Sequence, residues 1–214
     1  MPRIRGAVCT LVVATALLSF ASITIPLGGA SAGTPPSIAG YENPLRSVVN
    51  LVPNRIDQGV DYTGMGKVYA LGPGVITYVD TTGAWFPPAP DYIAYQLTSG
   101  TASGLTVYVA ECITPKARIQ VGLTVGVNTV IGNMTTKNCG YGIETGWANA
   151  NSLPDTMAAA CYNSNPDYAS ESGASGYGMN FSHLLRRLGA PPGQMDGPKV
   201  CPIPASAGMP VWQG

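Results

Sequence analysis

The chain has 214 residues, with 11 Lys+Arg, 11 Asp+Glu and a single histidine, and only 10% of its residues are charged. The charges are balanced and no basic run occurs, which argues against a nucleic-acid partner, and one histidine is too few for an imidazole-built metal centre. The length suits one domain with an extension better than two full domains.

At the N-terminus, Met-Pro-Arg-Ile-Arg leads into an apolar run from Ala7 to about Ile25, closed by Pro26 and followed by Ala30-Ser31-Ala32. Charge, apolar run and an A-x-A site in that order predict a secretory signal peptide over 1–32, cut before Gly33. An uncleaved anchor is the alternative, since the run is nearly long enough to span a bilayer; its Thr and Ser and the A-x-A site argue against it. Cys9 lies in this run without a small-residue lipobox before it. No other stretch could cross a membrane. Loss of Arg3 and Arg5 with the leader leaves nine cations against eleven acids, a net charge of about −2. Four cysteines remain, Cys112, Cys139, Cys161 and Cys201, an even number for which pairing is the default in an exported protein. A zinc site on them is disfavoured, because no two have C-x-x-C spacing and none neighbours a histidine.

Residues 33–40 are rich in Gly, Pro, Ser and Thr and read as a flexible leader, with the folded part beginning near Tyr41. Short runs of β-branched and aromatic residues follow: Val68–Ala70, Gly74–Val79, Tyr92–Leu97, Leu105–Ala110 and Thr129–Ile131. Glycine, proline, asparagine and aspartate punctuate them, and no helical period separates them, so antiparallel strands joined by tight turns are expected. Residues 67–75 and 120–127 rhyme weakly, with glycine at hairpin corners and valine between, as in a duplicated strand motif of a sandwich or partly closed barrel. Residues 149–179 are rich in Asn, Ser, Gly and Ala, consistent with a short helix near Leu153–Ala160 and a long loop. Then Phe181, Leu184, Leu185 and Leu188 recur at helical spacing, with Asn180 as a cap and Gly189 and Pro191 as stops, which predicts a helix over about 181–188. His183, Arg186 and Arg187 fall on its solvent face.

The segment Arg55-Ile56-Asp57-Gln58-Gly59-Val60-Asp61-Tyr62, followed by Val68-Tyr69-Ala70 and Gly74-Val75-Ile76, resembles the secreted M23 or lysostaphin-type zinc peptidases, which cut peptidoglycan cross-bridges. Tyr108-Val109-Ala110, Val121-Gly122-Leu123-Thr124-Val125, Val130-Ile131-Gly132 and Gly142-Ile143-Glu144 continue the likeness, which covers about 55–147. Every histidine of the family pattern is missing: Asp57, Ala110, Gly142 and Glu144 stand in those places. The resemblance implies a mostly β fold over 41–148, an antiparallel β-sandwich or partly open barrel of the M23 type, with a helical, loop-rich C-terminal extension over 149–214. It also implies that zinc and the peptidase activity are absent, since catalytic zinc is held best by imidazole.

In that layout Asp57, Asp61 and Glu144 converge in the old metal groove and Glu111, near Tyr108, sits at its rim. Carboxylates packed together must hold a proton or a cation, so weak calcium stays open although no zinc or other cofactor is expected. Three readings compete. Asp57 and Asp61 could serve the glycine turn while Arg55 or Lys67 pairs with Glu144. The four acids could act as a paired-carboxylate glycan hydrolase. Or the groove, with Gln58, Tyr108, Trp85 and Trp147, and with Tyr62, Tyr92, Tyr95 and Tyr141 along it, could bind a sugar without chemistry; the bland alternative for these aromatics is core and turn packing. The Ser-rich stretch 170–175 lacks a nucleophile elbow and the glycine-rich pieces lack P-loop spacing. The assumed fold further implies disulfides Cys112–Cys139 and Cys161–Cys201. The expected setting is outside the cell at the wall, with peptidoglycan, another wall glycan or a wall protein as partner, and no membrane contact after signal cleavage.

Overall fold

The computed structural model describes residues 38, 40–83, 85, 91–135, 139–140, 142–164, 173–195 and 200–212. The expected signal peptide, most of the leader and Tyr141 lie outside them. Strands β1 (Ser47–Ile56) and β2 (Val60–Tyr69) form a long hairpin about the Asp57-Gln58-Gly59 turn. β3 (Gly74–Asp80), β4 (Asp91–Leu97), β5 (Thr106–Glu111) and β6 (Ile113–Pro115) follow, then β7 (Thr124–Val125), β8 (Val130–Met134) and β9 (Ile143–Ala148). Their order in space is β1-β2-β9-β5-β4-β3-β7, with β8 pairing both β2 and β6, and all of these pairs are antiparallel. The result is one strongly curled, partly open barrel, the mostly β architecture that the short glycine-bounded runs predict. The two rhyming segments are neighbours in it: Gly74 faces Val125 and Val75 faces Thr124.

β1 was not among the expected strands. Its sequence, Ser-Val-Val-Asn-Leu-Val-Pro-Asn-Arg-Ile, has no clean alternation, and the ladder to β2 breaks register twice, between Val49 and Val52 and between Pro53 and Ile56. A strand near a sheet edge tolerates such bulges and a proline, because one side of its ladder is not needed.

Alternation sorts the central strands cleanly. Tyr62, Ile93, Tyr95, Val107, Val109, Ile143 and Trp147 point into the main core, while Tyr92, Ala94, Tyr108, Ala110 and Ala148 form a second apolar cluster on the other face. β9 is buried along its whole length because both faces are covered.

After β9 the chain makes α1 (Ala159–Ser164) and then β10 (Ala174–Ser175), which leads into α2 (Gly176–Arg187). The short helix starts later than Leu153 because residues 148–156 are tied to the end of β9: Asn149 N donates to Asp155 O at 2.9 Å and Thr156 bridges to Ala148. α2 begins five residues before the position expected. Ser175, not Asn180, is its cap, with its hydroxyl accepting from Gly178 N at 2.8 Å. Tyr177, Phe181, Leu184, Leu185 and Leu188 bury against the main core, and His183, Arg186 and Arg187 are exposed. Two short parallel pairings finish the fold, β11 (Gln194–Met195) on β1 and β12 (Val200–Cys201) on β10. No helix of the described residues is long and apolar enough to cross a membrane.

Cys112–Cys139 and Cys161–Cys201 are bonded, with Cα atoms 5.6 and 6.3 Å apart. Both are the pairs expected. Cys161–Cys201 closes a span of 40 residues that ties α1 to β12. Replacing both cysteines by serine is expected to lower stability by roughly 3–4 kcal/mol through the freed unfolded chain. A urea midpoint unchanged from the parent protein would contradict this.

Candidate functional site

On the face opposite the main core, one row of residues runs across four ladders: Asp61 on β2 faces Glu144 on β9, which faces Ala110 on β5, which faces Tyr92 on β4, which faces Asp80 on β3. Strand alternation alone puts Asp61 and Glu144 side by side. The β1–β2 turn then brings Asp57 over them, and carboxylate oxygens of Asp57, Asp61 and Glu144 lie within 4.8 Å of one another. All three residues are buried, at 4%, 9% and 4% exposure.

Three unscreened carboxylates at that spacing would repel strongly. Two contacts relieve them. Arg55 Nε donates to Asp61 Oδ2 and forms an ion pair with Asp57 Oδ2, each at 2.9 Å. The Tyr108 phenol donates to Glu144 Oε1. That phenol fits into a notch left by two glycines, since a Cβ at Gly59 would meet Tyr108 Oη and one at Gly146 would lie 3.0 Å from its Cε1. Asp57 also serves its own turn, with Gly59 N donating to Oδ1 at 3.3 Å. Asp61 Oδ1 has no hydrogen-bond partner.

These surroundings hold protons on the cluster. Burial, then the charges of Asp57 and Glu111, push the Asp61 carboxyl up to about 8, against the pull of Arg55. Burial, then Asp57 and Asp61, push Glu144 well above the usual carboxylate range, while the Tyr108 hydrogen bond opposes the rise. Burial likewise raises the Tyr108 phenol, with Glu144 next in effect, so Tyr108 stays a donor. Glu111 lies outside the close trio at the end of β5, where its φ is 73°, yet near enough to raise both neighbours.

Above the trio the aromatics form a slab. Tyr92 and Tyr108 stack at 5.5 Å with planes 3° apart, Trp85 leans on both at 5.3 and 6.0 Å, and Tyr78 meets Tyr92 edge-on. Tyr92 and Tyr108 are fully buried beneath Trp85, which keeps part of its surface.

Several expected members are elsewhere. Trp147 is fully buried in the main core and so are Tyr62 and Tyr95. The reason is parity: Trp147 lies three residues from Glu144 on the same strand, so their side chains leave opposite faces. Lys67, six residues beyond Asp61, does not pair with Glu144, and Arg55 pairs with the two aspartates instead. Gln58 flanks the turn, its Oε1 accepting from Thr156 Oγ1 at 2.5 Å and its carbonyl from Ser175 Oγ at 3.3 Å. Asp91 was overlooked by the sequence reading: on β4 beside Glu111, it is pushed up to about 6 by burial and by Asp80. Alternation along β4 was the only signal for it.

The donor set does not fit catalytic zinc. It offers three hard oxygen donors, no imidazole or thiolate, and a guanidinium in ion-pair contact with two of the carboxylates. Position 142 in particular is closed to a histidine, since Gly142 has φ 93° and a Cβ there would run into Tyr62 O. No protein-family model and no curated protein matches the chain.

Proposed function

We propose that this protein is an exported, cell-wall-associated domain of M23-like ancestry that has lost zinc peptidase chemistry and binds a wall glycan, such as peptidoglycan, or a wall partner at the face capped by Trp85. The observation that carries this reading is the Arg55 guanidinium set between Asp57 and Asp61. That internal cation already neutralises charge on two of the three carboxylates, and the acids that would perform hydrolysis are buried. A partly exposed tryptophan over stacked tyrosines offers the apolar platform on which sugar rings pack. Two disulfides suit an oxidising compartment outside the cell.

A carboxylate hydrolase is the second reading, favoured by Asp61, a carboxyl that holds its proton near neutral pH beside Glu144. Both are tested by a pull-down and turnover assay on purified peptidoglycan with wild type, Trp85→Ala and Glu144→Gln. Retention by the wild type and by Glu144→Gln, weakened several-fold in Trp85→Ala, with no soluble fragments, is the expected result. Fragment release that disappears in Glu144→Gln would establish the hydrolase instead. A wild type that neither binds nor cuts wall material would remove the cell-wall reading.

A further inference from the structure

The far end of β2 carries a site of opposite sign. Lys67 lies six residues beyond Asp61, roughly 20 Å along the strand. Across the ladders it faces Ser47 on β1 and Asn133 on β8, both uncharged. The turn after β6 brings two more cations to the same place. Lys116 N donates to Ile131 O at 3.0 Å, which ties the start of the turn to β8; Ile119 N donates back to Lys116 O at 2.8 Å and Ile119 is buried in the core, which anchors the other end of the turn that carries Lys116 and Arg118. Lys67, Lys116 and Arg118 line a cavity of about 470 Å³ whose other lining residues are Ala117 and Val130.

No acid lines this cavity. None of the three cations has an ion-pair or side-chain hydrogen-bond partner among the described residues, whereas Arg46 and Arg55 both do. Three cations around one hollow with no acid among them raise the local positive potential, which favours an anion there. The hollow is open to solvent, so a charged head group can reach it directly.

We propose that this cavity binds the phosphate or diphosphate group of a small ligand. A single carboxylate would leave two of the three positive charges unmatched, whereas a phosphate monoester or diphosphate carries two or more negative charges with oxygens spread over several directions. Arg118 supplies a planar fork suited to two of those oxygens, and Lys67 and Lys116 supply point charges for the rest. The site is distinct from the Trp85 face and stands whether or not the wall-glycan reading holds.

The test uses the purified folded protein and inorganic pyrophosphate as the probe, titrated by calorimetry in low salt. A saturable one-to-one isotherm is expected. Lys116→Gln and Arg118→Gln should each weaken it about tenfold and the double variant about a hundredfold, with raised salt weakening the wild type too. All three cations belong to surface-accessible positions, and an unchanged urea midpoint confirms that each variant is folded. Absence of a saturable isotherm, equal binding by the folded double variant, or acetate binding as tightly as pyrophosphate would each overturn the proposal. So would a single-stranded oligonucleotide that binds more tightly than pyrophosphate, since the site would then belong to a polymer backbone.

Discussion

Stability against urea should fall, not rise, as the pH is taken from about 4.5 to about 8. Most proteins lose stability toward acid, because native carboxylates are better ionised than unfolded ones. Here the sign is reversed at the buried cluster. The Asp61 carboxyl titrates near 3.8 when unfolded and at about 8 when folded. Between those values the folded state holds a proton that the unfolded state has released, so each rise in pH favours unfolding. The contribution is fully present below about 3.8 and is lost by about 8, and at about 1.4 kcal/mol per pH unit it amounts to roughly 6 kcal/mol across the window. Glu144, raised by burial and the two aspartates, acts in the same direction, and Asp91, pushed up to about 6, adds to the fall at the acidic end. Asp61→Asn supplies a neutral side chain of the same shape and leaves Arg55 its contact with Asp57. It should flatten most of the slope and raise the urea midpoint at pH 8. A wild type equally stable at both pH values, or an Asp61→Asn profile as steep as the parent's, would show that the cluster is ionised in the native state.

The second large effect is expected at Trp147. Its indole is fully buried, meets Phe181 edge-on at 4.9 Å between centroids and donates to Asn180 Oδ1 at 3.0 Å. Asn180 also accepts from Trp212 Nε1 at 3.0 Å and donates through Nδ2 to Pro210 O at 2.7 Å. One tryptophan therefore joins β9, α2 and the C-terminal segment. Trp147→Ala removes a fully buried indole from that junction and leaves the half-buried Asn180 Oδ1 with Trp212 Nε1 as its remaining donor, so a loss of about 3–5 kcal/mol, mostly from the cavity, is expected. Hydrogen exchange should report the loss first in α2 and residues 209–212. Trp85→Ala, by contrast, should weaken ligand retention with far less effect on stability, because Trp85 lies over the outer slab. A Trp147→Ala protein as stable as the wild type but deficient in ligand binding would return Trp147 to the binding face.

The sequence by itself determined the strand-rich character and the antiparallel connections, whereas the cysteine pairs and the grouping of Asp57, Asp61, Glu111, Glu144 and Tyr108 followed only from the layout that the M23 resemblance implies. It did so because short-range patterning leaves a readable trace: glycine and asparagine at corners, β-branched residues between them, and helical spacing of Phe181, Leu184, Leu185 and Leu188. The start of α2 was only partly legible, since Ser175 and Asn180 are both acceptable caps by type and the choice depends on β10, where Ser175 pairs with Cys201. β1 escaped notice because bulges erase its period. Only the tertiary structure decided which side of the sheet each aromatic leaves from, and hence that Trp147 is core while Trp85 packs on Tyr92 and Tyr108 across the sheet. It also decided which cation reaches which carboxylate. Arg55 and Lys67 are equally plausible partners along the chain, but the β1–β2 turn folds Arg55 back onto Asp57 and Asp61, whereas six residues of extended strand carry Lys67 to the opposite end of the sheet. Charge pairing depends on distance through space, and a hairpin makes that distance short for residues on either side of its turn and long for residues along one strand.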